Sequence, residues 1–152
     1  EFTLIFDTCH TKNAVQNLLY NLNLLKKNKI IVVASMDPSH LNDVDDFRKS
    51  TELIVNLSDY TIFTFDISVR NNISFSNYSN KLGKNLNKKK YEICLNNVEA
   101  IKKAIKMASS IDIVLVTGYS YFYGMNKKDN IDPYLICRKA IEERLNTLKK
   151  SI

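Results

Sequence analysis

Runs of consecutive apolar residues alternate along the chain with stretches in which apolar residues recur at helical spacing. The continuous runs are typical of strands buried on both faces and lie at 3–6, 30–34, 60–65, 91–95 and 111–116. The helical stretches lie at 15–25, 45–57, 98–108 and 133–148. This alternation predicts one α/β domain over residues 1–152, a Rossmann-like three-layer fold with a mostly parallel sheet of about five or six strands.

Helix-start signals support two of these helices. Asn96 or Asn97 is a suitable N-cap for the third helical stretch, and Asp132 followed by Pro133 is a typical start for the last one. The predicted core face of the last helix consists of Leu135, Ile136, Ala140, Ile141, Leu145 and Leu148.

Residues 67–90 break the pattern, since they are mostly Asn, Ser and Lys. We predict a flexible polar insertion there, either a mobile loop or a short, poorly ordered helix. The run Lys88–Lys90, with Phe75 and Tyr78 as stacking groups, leaves nucleic-acid contact as an alternative.

Composition narrows the class of protein without specifying a function. The chain has 152 residues, 45% of them hydrophobic and 25% charged, and a formal net charge of +6. The positive charge comes mainly from Lys spread over the surface, so a nucleic-acid partner is not expected. Three separated cysteines and no apolar run of about 18 residues predict a cytoplasmic protein that does not enter a membrane. The chain starts inside a strand without an initiator Met, which suggests a fragment of a longer polypeptide.

Polar residues follow the predicted strands, and the carboxyl ends of parallel strands meet at one edge of a sheet. We therefore predict that one cleft is shared by Asp7, His10, Asn13, Asp37, Asp66, Arg70, Gly118 and Ser120. No glycine lies in the turn after the first strand, so neither a dinucleotide fingerprint nor a P-loop is present there.

The first turn offers other chemistries that the sequence supports weakly. Cys9 and His10 could form a thiolate nucleophile, but adjacent residues of an extended segment point to opposite sides. Cys9 is better interpreted as a small core residue. Asp7, His10, Asp37 and His40 could hold a divalent ion, but no spacing enforces it, and we predict neither a metal site nor a catalytic residue.

The order of these turns resembles the C-terminal domain of the Mur ligase superfamily, most closely the ligase that adds the third residue of the peptidoglycan peptide. The family turn D-Y-A-H-T/N-P-D corresponds to Asp7–Asn13, which reads D-T-C-H-T-K-N. A glycine pair followed by D-R-D corresponds to Ala34–Pro38, and T-D-D-N-P-R corresponds to Thr64–Arg70. The motif A-G-K-G-H-E corresponds to Thr117–Phe122, which reads T-G-Y-S-Y-F.

The resemblance implies one domain of an ATP-dependent amide ligase, which would be inactive alone because the P-loop belongs to a central ATP-binding domain of the same polypeptide. It implies nucleotide contacts from Asp7, His10 and Asn13. It implies contacts to an amino acid or nucleotide-linked peptide from Asp37, Asp66, Arg70, Gly118 and Ser120. ATP and Mg²⁺ would be bound mostly outside this chain.

Departures from the family motifs keep other interpretations open. The glycine pair is lost, and Tyr119 and Phe122 replace the Lys and Glu of the fifth-strand motif, which argues against a tight diaminopimelate site. Folylpolyglutamate synthase has a similar first turn. Haloacid-dehalogenase-like phosphatases also have an Asp after a strand, but Cys9 stands at the position of their second Asp. A non-catalytic α/β module that binds a protein or another partner is the alternative function.

Overall fold

The computed structural model describes residues 2–7, 9, 11–36, 44–64, 75–118 and 133–150. Strands and helices alternate throughout these residues. The strands are β1 (Thr3–Asp7), β2 (Ile30–Ser35), β3 (Tyr60–Thr64), β4 (Tyr91–Ile93) and β5 (Ile113–Thr117). The helices are α1 (Lys12–Leu25), α2 (Val44–Leu57), α3 (Phe75–Lys81), α4 (Asn97–Met107) and α5 (Pro133–Lys149).

The described strands form one sheet in the order β1-β5-β2-β3-β4, and every neighbouring pair is parallel. Helices α1, α2 and α3 pack their apolar residues against one face of the sheet. Helices α4 and α5 pack against the other face. The predicted three-layer α/β fold is therefore confirmed, and it is wholly parallel within the described residues.

The chain leaves neighbouring strands toward opposite faces of the sheet at three places, β1/β5, β5/β2 and β3/β4, and two of these places share β5. The chain leaves β1 and β2 toward helices on the first face, whereas it leaves β5, which lies between them, toward α5 on the second face. Ligands of open α/β sheets bind in the crevice opened by such a reversal, outside the carboxyl ends of the strands. The topology therefore favours the ends of β1, β5 and β2 as the functional edge.

Side-chain caps fix the starts of two helices. Asn96 Oδ1 accepts a hydrogen bond of 3.0 Å from the Glu99 N–H, so Asn96 rather than Asn97 caps α4. Thr11 Oγ1 accepts one of 3.3 Å from the Ala14 N–H at the start of α1. The predicted N-cap Asp132 lies outside the described residues.

The predicted core face of α5 is wrong in its outer part. Ile136 and Ala140 are buried as expected, but Leu135, Leu145 and Leu148 are about half exposed. Arg144 follows Ile136 and Ala140 at helical spacing and donates a hydrogen bond to the carbonyl of Ile105 in α4. A polar contact to α4 therefore continues the buried stripe beyond Ala140, where the pattern predicted apolar packing.

The polar stretch 67–90 contains a helix, α3, with a buried anchor. Tyr78 is fully buried, contacts Phe47 edge-on at 6.2 Å between ring centroids and donates a 3.4 Å hydrogen bond to the Thr64 carbonyl. The proposal that Tyr78 stacks on a nucleic-acid base is wrong, because its ring is inside the core. Flexibility of residues 67–90 stays a prediction, which amide hydrogen exchange can measure.

One residue of the lysine run has a structural partner. The Lys90 ammonium donates to the carbonyls of Ser58, at 2.9 Å, and Val55, at 3.5 Å, at the end of α2. A cation is favourable at a helix C-terminus, where carbonyl groups lack helical partners. Lys90 therefore stabilises α2, while Lys88 and Lys89 are exposed.

The fifth strand begins two residues later than predicted because a buried carboxyl group shapes the preceding turn. Asp112 is 1% exposed, and its oxygens accept from Asn28 Nδ2 at 2.7 Å, the Lys29 N–H at 3.1 Å and the Ser109 N–H at 2.6 Å. Ile111 adopts a φ of 66° in this turn. That conformation is unusual for a β-branched residue. The first two residues of the apolar run therefore form a turn, and the strand starts after them.

Candidate cleft at the carboxyl edge of the sheet

The strand register brings two of the predicted site residues, Asp7 and Gly118, to one edge of the sheet. Asp7 pairs with Thr117, and Thr117 pairs with Ala34 on its other side. Ser35 pairs with Thr64 in the next strand. Asp7 and Gly118 therefore lie at the same edge of the sheet, as predicted from their positions at strand ends.

Three of the eight predicted site residues fall within the described part of the chain: Asp7, Asn13 and Gly118. The other five lie outside it: His10, Asp37, Asp66, Arg70 and Ser120. The roles of all eight stay predictions, and the described residues give the framework on which those roles depend.

Asp7 shapes the turn that follows β1. Its Oδ1 accepts a hydrogen bond of 2.7 Å from the Cys9 N–H, two residues further along the chain. An Asp side chain that bonds the backbone two residues on forms a compact turn without needing glycine. Asn13, in the first turn of α1, is exposed and therefore accessible to a ligand at this edge.

Gly118 is required by its backbone conformation and by its neighbours. Its φ is +122°, and a Cβ there would lie 1.9 Å from the Ser35 carbonyl oxygen and 2.7 Å from the Ser35 carbonyl carbon. A glycine therefore lets the chain leaving β5 pass directly against the end of β2. The single glycine retained from the family motif has a clear physical purpose.

Two hydroxyl groups at strand ends were not among the predicted site residues. Thr117 Oγ1 donates to the Cys9 carbonyl at 3.2 Å, and Thr64 Oγ1 donates to Asn97 Oδ1 at 2.6 Å. Each bond joins the end of one strand to a neighbouring turn or helix start. A threonine in the last position of a strand was the sequence signal that could have identified both.

The surroundings of Cys9 favour the protonated thiol over the thiolate. Cys9 packs against the core cluster on the α1 side of the sheet. Burial, then the hydrogen bond to Asp7 and the charge of Asp7, together raise the pKa of its thiol from the ordinary 9.0 to about 12. Because the thiolate is the reactive form, this environment opposes nucleophilic catalysis. The interpretation of Cys9 as a small core residue agrees with its packing.

We expect Cys9 to be alkylated slowly at pH 8. Iodoacetamide labelling followed by peptide mass spectrometry should show at least about a tenfold lower rate in the folded chain than in guanidinium, since thiolate fraction controls the rate. Its folded pKa lies above the unfolded value, so its contribution to stability is present below pH 9.0 and is lost as the pH rises toward 12. Equal labelling rates in the two states would contradict this assignment.

The described residues contain no group of three or more His, Cys, Asp or Glu side chains placed to hold a metal ion. None of the described helices combines the length and the apolar character that membrane crossing requires.

Comparison with known proteins connects this cleft with a family. The family model for the Mur ligase, glutamate ligase domain, matches residues 1–119. A curated relative, the UDP-N-acetylmuramoyl-L-alanyl-D-glutamate–2,6-diaminopimelate ligase of Oceanobacillus iheyensis, is 26% identical over 149 residues, or 94% of this chain and 29% of the relative. The chain thus spans less than a third of the length of that relative.

Solved structures agree on the fold. A structure of a ligase of the same name superimposes with a TM-score of 0.77 at 20% identity, covering 95% of this chain and 30% of that one. The UDP-N-acetylmuramate–alanine ligase of Thermotoga maritima gives a TM-score of 0.53 at 15% identity, covering 96% of this chain and 27% of that one. With a family model that matches most of the sequence and a fold shared with these ligases, the chain belongs to the Mur ligase family and represents its C-terminal domain.

Proposed function

We propose that the chain is the C-terminal domain of a cytoplasmic, ATP-dependent amide ligase of peptidoglycan synthesis. The observation that carries this proposal is the match to the Mur ligase family model over residues 1–119. The convergence of Asp7, Thr117 and Gly118 at the carboxyl edge of the sheet supports a ligand site on this domain.

The proposed reaction divides between this domain and a central ATP-binding domain of the same polypeptide. ATP transfers its terminal phosphoryl group to a substrate carboxylate, which gives an acyl phosphate and ADP. The amine of an amino acid then attacks the acyl carbon, and the amide forms as phosphate leaves. This chain would hold the nucleotide and the incoming amino acid while the central domain carries the phosphate chemistry.

The described residues of this chain suit a supporting nucleotide site. The exposed Asn13 amide at the start of α1 suits a hydrogen bond to the base or sugar of the nucleotide. ATP and Mg²⁺ would be bound mostly by the central domain, outside this chain. His10 is proposed to contact the nucleotide beside Asn13, and Asp7 to act through the shape of their turn.

The amino-acid side of the proposed cleft lies across the ends of β2, β3 and β5. Arg70 would pair with a substrate carboxylate, since its planar guanidinium can donate two parallel hydrogen bonds. Asp37, Asp66 and Ser120 would contact the amine and polar groups of the same substrate. Gly118 would allow the substrate to approach the backbone closely, because it has no side chain.

Substitutions in the full-length natural polypeptide test these roles. We expect Arg70→Ala to raise the KM for the amino acid at least about tenfold, since a charge-assisted bidentate contact is lost. Arg70→Lys, which keeps the charge, should recover part of this loss. His10→Ala should instead raise the KM for ATP. Wild-type kcat and KM values in both alanine variants would contradict the assignment of the cleft.

A further inference from the structure

A side-chain hydrogen bond bridges the ends of β1 and β5. The Thr117 hydroxyl donates to the backbone carbonyl of Cys9 at 3.2 Å, although 108 residues separate the two. Thr117 is 2% exposed, so water does not replace this bond easily. The Cys9 N–H is held as well, by Asp7 Oδ1 at 2.7 Å. Both backbone polar groups of Cys9 are therefore fixed by side chains at the same edge of the sheet.

The bridge arises at one position where this chain departs from the family motifs. Thr117 stands where the fifth-strand motif A-G-K-G-H-E has alanine, whereas the acceptor is a backbone carbonyl that any residue at position 9 supplies. An alanine at position 117 has no hydroxyl to donate. This chain therefore has a connection between the first turn and β5 that the family pattern itself does not provide.

We propose that Thr117 is a positioning residue that holds the turn between β1 and α1 in its nucleotide-binding conformation. The inference rests on the proposed function and deepens it, because His10 belongs to that turn and Asn13 follows it in the first turn of α1. A turn already ordered in the free protein loses less conformational entropy when a ligand binds. Thr117 thus acts on affinity for the nucleotide through Cys9, without touching the nucleotide itself.

The test compares three substitutions at one position in the full-length polypeptide. Thr117→Val keeps the shape of the side chain and removes the hydroxyl, Thr117→Ala restores the family residue, and Thr117→Ser keeps the hydroxyl. We expect Val and Ala to weaken ATP binding, measured by calorimetry as Kd and by kinetics as KM, about fivefold, which is the usual effect of one net hydrogen bond. The Ser variant should bind as the wild type does, and kcat should stay within about twofold in all three.

A second measurement reports the turn itself and does not depend on ligase activity. Loss of the hydroxyl should speed iodoacetamide labelling of Cys9 several-fold in Thr117→Val, whereas labelling of Cys137, which is buried on the inner face of α5, should not change. Faster labelling with wild-type ATP affinity would overturn the positioning role. An unchanged labelling rate of Cys9 in Thr117→Val would contradict the claim that the Thr117 hydrogen bond holds the turn. A wild-type polypeptide that binds ATP but forms no amide would contradict the proposed function alone.

Discussion

Replacing Asp112 by alanine is expected to lower the free energy of unfolding by about 3–4 kcal/mol, because three donors lose their acceptor in a buried site. Asp112 joins the turn before β2, through Asn28 and Lys29, to the turn before β5, through Ser109. These are the two central strands next to the proposed cleft. Urea unfolding of the 152-residue chain, followed by circular dichroism, measures the loss.

The variant Asp112→Asn should lose about half as much free energy, since one amide oxygen still accepts while the NH₂ group faces another donor. Asp59 provides a matched control, because it directly precedes β3 as Asp112 directly precedes β5, at the amino edge of the sheet. It accepts from the Ile30 N–H at 2.9 Å and from Lys26 Nζ at 3.2 Å, but its side chain is 34% exposed. Asp59→Ala should therefore cost only about 1 kcal/mol, because water can replace its bonds. Equal losses of unfolding free energy in Asp112→Ala and Asp59→Ala would contradict the conclusion that burial makes the Asp112 bonds the more important ones.

Gly118→Ala is expected to cost about 3 kcal/mol and to damage the cleft. The cost combines a φ of +122°, which L side chains rarely adopt, with overlap between the new Cβ and the Ser35 carbonyl. The neighbour here is backbone of β2, which cannot move without disturbing the sheet. Because the displaced atoms lie at the proposed site, the variant should also weaken substrate binding in the full-length polypeptide.

Gly83→Ala is the control for a tight glycine that is not strained. A Cβ at Gly83 would meet Glu52 Cγ at 2.3 Å, but that atom belongs to a flexible side chain. We expect Gly83→Ala to cost less than about 1 kcal/mol, since Glu52 can adopt another rotamer. Urea unfolding of both variants gives the comparison. A Gly118→Ala chain as stable as the Gly83→Ala chain would contradict the conclusion that only glycine fits where the chain leaves β5.

The layered fold could be predicted from the sequence because strands buried on both faces leave continuous apolar runs. The run at Ile30–Ser35 is buried at every residue, and this is why its pattern was unambiguous. The start of α4 was predicted to within one residue, since Asn96, one of the two candidate N-caps, caps α4 through a local bond.

Features that depend on distant contacts could not be predicted. Tyr78 looked like part of a polar surface segment, yet its burial depends on Phe47 and on the end of β3. Lys90 looked like part of a basic run, yet its partners belong to α2. The contact of Arg144 with the Ile105 carbonyl depends on how α5 packs against α4, which its spacing in the sequence does not show.

The location of the candidate site at one edge of the sheet could be predicted from the sequence, but the hydrogen bonds that hold it could not. Strand ends identified Asp7 and Gly118, because parallel topology places such ends at one edge. The bonds from Thr117 to Cys9 and from Thr64 to Asn97 depend on strand order. That order cannot be read from the chain, since β5 inserts between β1 and β2.

The central claim is that this domain serves an amide ligase whose phosphate chemistry takes place outside it. ADP release measures this directly, with the full-length natural polypeptide and the 152-residue chain assayed side by side with ATP, Mg²⁺, a nucleotide-linked peptide acceptor and a panel of amino acids. We predict that the full-length polypeptide releases ADP in proportion to amide formed and only when a suitable amino acid is present, while the 152-residue chain releases none. Saturable ATP hydrolysis by the 152-residue chain, or ADP release by the full-length polypeptide that no amino acid changes, would contradict the account.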